Sequence, residues 1–156
     1  MLELRNNQVQ VSGEIFGCDW DDPSTSTIQT LTSTFARLGS ATGKAGLETT
    51  FKSDRDGTVE IYVQAYIDKT SSSDVGLVRM RLVNGINSEI SGTNKQVIEF
   101  HSSDGRQLVC VSWLMSVTKG TSYTIRPQIR RETSTQDFDV RWGDTDPAII
   151  IKVIGL

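Results

Sequence analysis

The last nine residues, Ala148 to Leu156, are apolar on both faces of an extended strand. Ile149, Ile151 and Val153 share one face, Ile150 and Ile154 the other, and only Lys152 interrupts. Side chains alternate between the two faces of a strand, so this pattern asks for cover on both sides. A chain end frays unless it is tied into a sheet. The segment therefore reads as a central strand, with the fold's own core on one side and something else on the other. It points to an assembly rather than to a chemistry, and no residue pattern in the chain names a reaction.

Period two runs through the rest of the sequence. Val59, Ile61, Val63, Ala65 and Ile67 alternate with Glu60, Tyr62, Gln64 and Tyr66, the pattern of a half-buried strand. Val78, Met80 and Leu82 lead into Asn84-Gly85, a hairpin signal, with Ile86, Ser88 and Ile90 following. Ile98 and Phe100 end another strand before the turn Asp104-Gly105. Val109, Val111, Trp113, Met115 and Val117 then line one face and Leu108, Cys110 and Leu114 the other, a second strand predicted to be buried on both faces. Tyr123, Ile125 and Ile129 make a strand that Pro127, lacking an N–H, places at an edge or a bulge. Phe138, Val140 and Trp142 form the next, and Gly143 to Pro147 turns into the last. Leu47, Thr49 and Phe51 predict a short strand upstream, and Ser71-Ser72-Ser73 a loop tip.

Residues 1–26 read as an N-terminal arm, or a first strand plus a long loop. Leu2, Leu4, Val9 and Val11 suit a short strand or hairpin, and Cys18 to Thr27 suits a loop. Residues 27–156 read as one domain. About eight to ten short strands separated by turn signals predict an all-β fold, an antiparallel jelly-roll β-sandwich.

A chain of 156 residues is long enough for a core without staples. Apolar residues make up 37% and charged residues 22%, the balance of a globular protein. The net charge of -3 argues against nucleic acid, which needs a basic surface. No segment approaches the ~20 apolar residues of a membrane helix, and the start has no leader-like apolar run, so synthesis and folding in a cytoplasm are expected. Cys18 and Cys110 match no metal spacing, and their pairing is left open.

The second half carries a recurring pattern. An alternating strand, Thr58 to Ala65, is followed by Lys119-Gly120-Thr121-Ser122-Tyr123-Thr124-Ile125, then Phe138-Asp139-Val140-Arg141-Trp142-Gly143, then the closing Ala148 to Val153. Over residues 45–156 this resembles the C-terminal strands of trimeric jelly rolls of the TNF/C1q-like kind, in particular those of bacteriophage fibres and capsid-decorating proteins. The resemblance implies a homotrimer whose inner sheet packs near a threefold axis. It carries over no binding residue, because that family shares no site. The short arm and the absence of a stalk suit a decoration or cement protein on a virion's capsid surface, held to the major capsid protein. The alternative is a fibre or receptor-binding head, with a glycan as its candidate ligand.

The candidate trimer contacts are Val109, Val111, Trp113, Ile149, Ile151 and Val153, with one face of each strand reserved for the subunit's own core. The candidate partner contacts are Trp20, Asp21, Arg130 and Arg131, the arginines suiting an acidic protein surface or a solvated strand face. His101, the sole histidine, lies at a strand end without the partners of a triad or a zinc site. Asp19, Asp21 and Asp22, or Asp144 and Asp146, have calcium-like chemistry, but turn chemistry explains both groups and no metal site is expected. Trp113 and Trp142 lie on apolar strand faces and read as packing, whereas Trp20 stands beside acids as a contact residue. No cofactor and no catalytic residue is expected.

Overall fold

The computed structural model describes residues 14–69, 75–101, 104–132 and 138–156. Period-two patterning becomes strands throughout, and no described residue is helical. In chain order the strands begin with β1 (Ile15–Asp21), β2 (Thr27–Thr30), β3 (Ala36–Arg37), β4 (Ser40–Ala41), β5 (Lys44–Ala45) and β6 (Thr49–Lys52). They continue with β7 (Gly57–Lys69), β8 (Gly76–Val83), β9 (Lys95–Phe100), β10 (Gln107–Val117), β11 (Ser122–Arg131), β12 (Phe138–Trp142) and β13 (Ile149–Gly155).

Two antiparallel sheets form an all-β jelly-roll sandwich. In the first, the long β7 is the axis: β10 fills one edge, and β13 followed by β12 fills the other. β1 lies outside β13, and β2 outside β12. In the second, β11 pairs β8 along one edge and β6 then β3 along the other, with β9 outside β8. The core lies between the sheets. Val59, Ile61, Val63, Ala65 and Ile67 of β7 are fully buried, as are Val78, Met80 and Leu82 of β8. Each such aliphatic side chain larger than alanine stabilises the fold by about 1.5–3 kcal/mol. Phe100 and Phe138 stack across the core with centroids 5.2 Å apart.

The C-terminal strand is central, as its composition requires: β13 sits between β1 and β7. Other expectations are corrected. Cys18 to Asp21 are not loop but part of β1, a first strand within residues 1–26 that pairs with β13 in the first sheet. The start of that segment, residues 1–13, and the tip at Ser71–Ser73 lie outside the described residues. Asn84-Gly85 does reverse the chain, but through a wider turn than a two-residue hairpin: Val83 bridges Glu89 antiparallel, and the Asn84 amide donates to the Ser88 carbonyl at 2.9 Å. Within that turn Asn84 Oδ1 accepts the backbone N–H groups of Ile86 and Ser88, both at 3.0 Å, and β9 starts only at Lys95. A side chain that satisfies the local amides stabilises the wider loop. Pro127 is not at an edge. It falls where the partner of β11 changes from β6 to β3, a gap that asks for no amide donor.

Candidate interaction surface

The decisive geometry is the outer face of the first sheet. Its rows follow from register: Trp20–Ile150–Gln64–Cys110, then Cys18–Lys152–Tyr62–Ser112, then Ile15–Ile154–Glu60–Leu114. A bulge at Phe16 keeps Ile15 on this outer face while Phe16 packs against the core. Leu114 is 69% exposed, Trp20 64%, Ile15 57% and Leu108 49%. Half-buried Ile150 and Ile154 lie among them. No described element covers this face, and among the described residues β10 pairs only with β7, leaving its second edge open.

The sequence left open which face of β10 and β13 serves the core. Ile149, Ile151 and Val153 are fully buried within the single chain, and Val109 and Trp113 are 6% exposed. Val111 packs partly buried against the same cluster. These six candidate trimer contacts are therefore core residues of the subunit. The opposite faces, with Leu108, Leu114, Ile150 and Ile154, are what a neighbour can reach. The prediction that Leu108, Cys110 and Leu114 are buried also fails for the single chain, since all three are exposed. Apolar side chains on a strand look the same in sequence whether a core or a partner covers them.

Trp20 and Asp21 are neighbours on β1, whereas Arg130 and Arg131 end β11 on the other sheet, and within each pair the two side chains leave the strand on opposite faces. Trp20 lines a cleft of about 220 Å³ with Asp19, Asp21, Lys44 and Leu47. Its acids are structural anchors. Asp21 Oδ2 accepts from the Lys44 ammonium and from the indole N–H of buried Trp142, each at 2.7 Å. Asp19 Oδ2 accepts the Glu48 amide at 2.9 Å. Both thereby pin the β4–β5 hairpin and its flanks onto β1.

Burial by itself raises the Asp21 carboxyl, but the Lys44 and Trp142 hydrogen bonds and the Lys44 charge outweigh it, and its pKa falls below the ordinary value. A carboxyl held lower in the folded than in the unfolded state adds stability that is present above about pH 4 and lost as pH drops through the folded value. Asp21→Asn is therefore expected to reduce the loss of melting temperature between neutral pH and about pH 3. An unchanged acid loss in thermal melts of the variant excludes this role.

The remaining candidates have the following surroundings. His101 is exposed at the end of β9, its amide donating to Asp104 Oδ2 at 2.6 Å and its carbonyl accepting from Lys69. Among the described residues no three His, Cys, Asp or Glu side chains come close enough to hold a metal ion. Asp144 and Asp146 form a turn closed by the Asp146 amide on the Gly143 carbonyl at 3.0 Å. Trp113 donates to the Thr93 carbonyl at 2.7 Å from the core. Cys18 and Cys110 are free and exposed. β13 and β7 lie between their strands, three strand spacings or about 14 Å, well beyond the ~7 Å limit for a disulfide. The Tyr62 hydroxyl contacts Cys110 Sγ at 3.1 Å, and that hydrogen bond, with burial, pushes its pKa up to about 12.

The sheets define the class, an antiparallel jelly roll. No protein-family model matches the chain, and no curated protein matches it. Solved structures with a similar fold include the Eiger TNF from S. frugiperda, 11% identical, TM-score 0.48, covering 91% of this chain and 92% of that one. The CBM22-1 xylan-binding domain of Paenibacillus barcinonensis Xyn10C is 8% identical, TM-score 0.39, covering 93% and 97%. A CocE/NonD family hydrolase from Staphylococcus aureus is 10% identical, TM-score 0.41, covering 90% of this chain and 37% of that one. The likeness is one of fold alone, and the class assignment rests on this chain's own sheet topology.

Proposed function

We propose that the chain is a non-enzymatic assembly protein, a homotrimer that joins through the outer face of its first sheet and decorates a virion's capsid surface by bridging capsomers. The observation that carries the self-association is exposure. Single exposed apolar side chains are ordinary, but Trp20, Ile15, Leu108 and Leu114 share one sheet face that no described element covers. That face runs to the open edge of β10, eleven residues long, and long open edges are normally covered. Beside that strand a groove of about 620 Å³ is lined by Ile86, Ile90, Met115, Tyr123 and Ile125. The bridging role and the virion location rest on the resemblance of the turn and strand pattern given above.

Light scattering is expected to return three times the chain mass of 17.2 kDa. The double variant Leu108→Glu, Leu114→Glu is expected to run as a folded monomer, with an unchanged β-sheet circular dichroism spectrum. A wild-type monomer at about micromolar concentration overturns the reading. For the capsid role, the chain should co-sediment with particles in a density gradient of infected-cell lysate. Its absence from particle fractions rejects decoration and leaves the trimer standing.

A second reading, a glycan-binding head, is favoured by one observation: Trp20 is 64% exposed on a cleft with charged Asp21 and Lys44, and such a ring can stack on a sugar. A saturable glycan-array signal lost in Trp20→Ala supports it, and no signal removes it.

A further inference from the structure

The outer face of the second sheet is built differently from that of the first. Arg126, Gln128 and Arg130 of β11 alternate with buried Ile125, Pro127 and Ile129, and Arg79 and Arg81 of β8 alternate with buried Val78, Met80 and Leu82. Register sets Arg130 opposite Arg79, and Gln128 between Arg81 and Arg37 of β3. Five of the chain's ten arginines therefore share one face. Three glutamates answer them. Glu132 holds Arg79 at 2.6 Å, Glu89 holds Arg81 at 3.0 Å, and Glu48 bridges Arg126 and Arg37. Among the described residues, these five arginines and three glutamates leave two net positive charges in the lattice, on a chain whose total is -3.

Arg130 is the exception within this lattice. Among the described residues no carboxylate lies within ion-pair distance of it. Its polar contact is a long one, 3.5 Å from Nη1 to the Ser33 carbonyl. Its guanidinium lies 5.0 Å from the centroid of the Phe35 ring, and that of Arg81 lies 4.2 Å from the same centroid. The unpaired cation is thus held by an aromatic ring, directly across from a second arginine. Arg79 is already answered by Glu132, so Arg130 is the cation of this pair that an incoming anion would neutralise. A planar guanidinium fixed by stacking presents two donors in the fork that matches a carboxylate.

We propose that Arg130, with Arg79, Arg81 and Phe35, forms a docking surface for an acidic segment of a partner protein. A protein carboxylate fits better than a nucleic acid. The two net charges are local, and the negative total repels a long polyanion that extends past them. The surface does not depend on the trimer, because it lies on the other sheet and stays open when the first sheet's face is covered.

The test uses the full chain and a fluorescein-labelled oligoglutamate peptide, read by anisotropy at about 20 mM salt, where surface charges are weakly screened. Saturable binding is expected, weakened about tenfold or more in Arg130→Ala and less in Arg130→Lys, which keeps the charge and loses the fork. Arg55→Ala, whose guanidinium lies away from this face against Asp54 and Glu14, is expected to bind as wild type. Thermal melts confirm that each variant is folded. Absence of binding overturns the proposal, as does equal weakening by Arg55→Ala and Arg130→Ala, which marks unspecific attraction. Tighter binding to a DNA oligonucleotide of equal charge overturns the choice of a protein partner.

Discussion

Trp142→Ala is expected to remove about 3–5 kcal/mol of stability and to lower the melting temperature by roughly 6–20 °C at fixed protein concentration. Trp142 is fully buried on β12 and is the largest such side chain. Its removal leaves a void that the surrounding sheets close only in part. Its indole N–H also reaches Asp21, which holds Lys44 in turn, so one side chain ties β12 to β1 and to the β4–β5 hairpin. Trp142→Phe keeps most of the volume and loses the charge-assisted hydrogen bond, for an expected loss of about 1.5–3 kcal/mol. Urea denaturation of both variants separates the two contributions. A loss below about 1 kcal/mol in Trp142→Ala contradicts the packing described.

Gly143→Ala is expected to cost about 2–4 kcal/mol. The backbone there has φ +83°, and an added Cβ would lie 2.5 Å from the Thr25 carbonyl oxygen and 2.8 Å from that of Pro23. The loop has no room to retreat, because the Asp144 amide donates to that same Pro23 carbonyl at 2.9 Å. Gly43→Ala supplies the comparison. Its φ is +76°, but nothing lies within 4 Å of the added carbon, so only the left-handed strain of about 1 kcal/mol is expected. Equal losses in the two variants, measured by thermal melts, would mean that conformation alone matters and that the collision is relieved.

The strands were legible because alternation is a local property. Val59 to Ile67, Val78 to Leu82, Phe138 to Trp142 and the last strand occupy the stretches that their patterns mark. The misreadings have tertiary causes. Asn84-Gly85 carries the residues of a two-residue hairpin, but the Asn84 side chain caps the amides of a wider turn that Val83 and Glu89 close. Asp19 and Asp21 read as loop acids, yet they are strand residues whose oxygens anchor a hairpin more than twenty residues onward. Of the docking surface, only Arg130 was visible as a candidate. Arg79, Arg81 and Phe35 come from segments that nothing in the local pattern connects to it.

The sequence by itself determined that Ala148–Leu156 and Leu108–Val117 are strands with two apolar faces, and hence that the chain folds as β-sheet. Only the tertiary structure decided which face is which. Ile149, Ile151 and Val153 turn inward with Val109 and Trp113, while Leu108 and Leu114 stand exposed. Hydrophobicity carries no direction: a strand's alternation divides its side chains into two sets, and the packing of the second sheet chooses the set that becomes core.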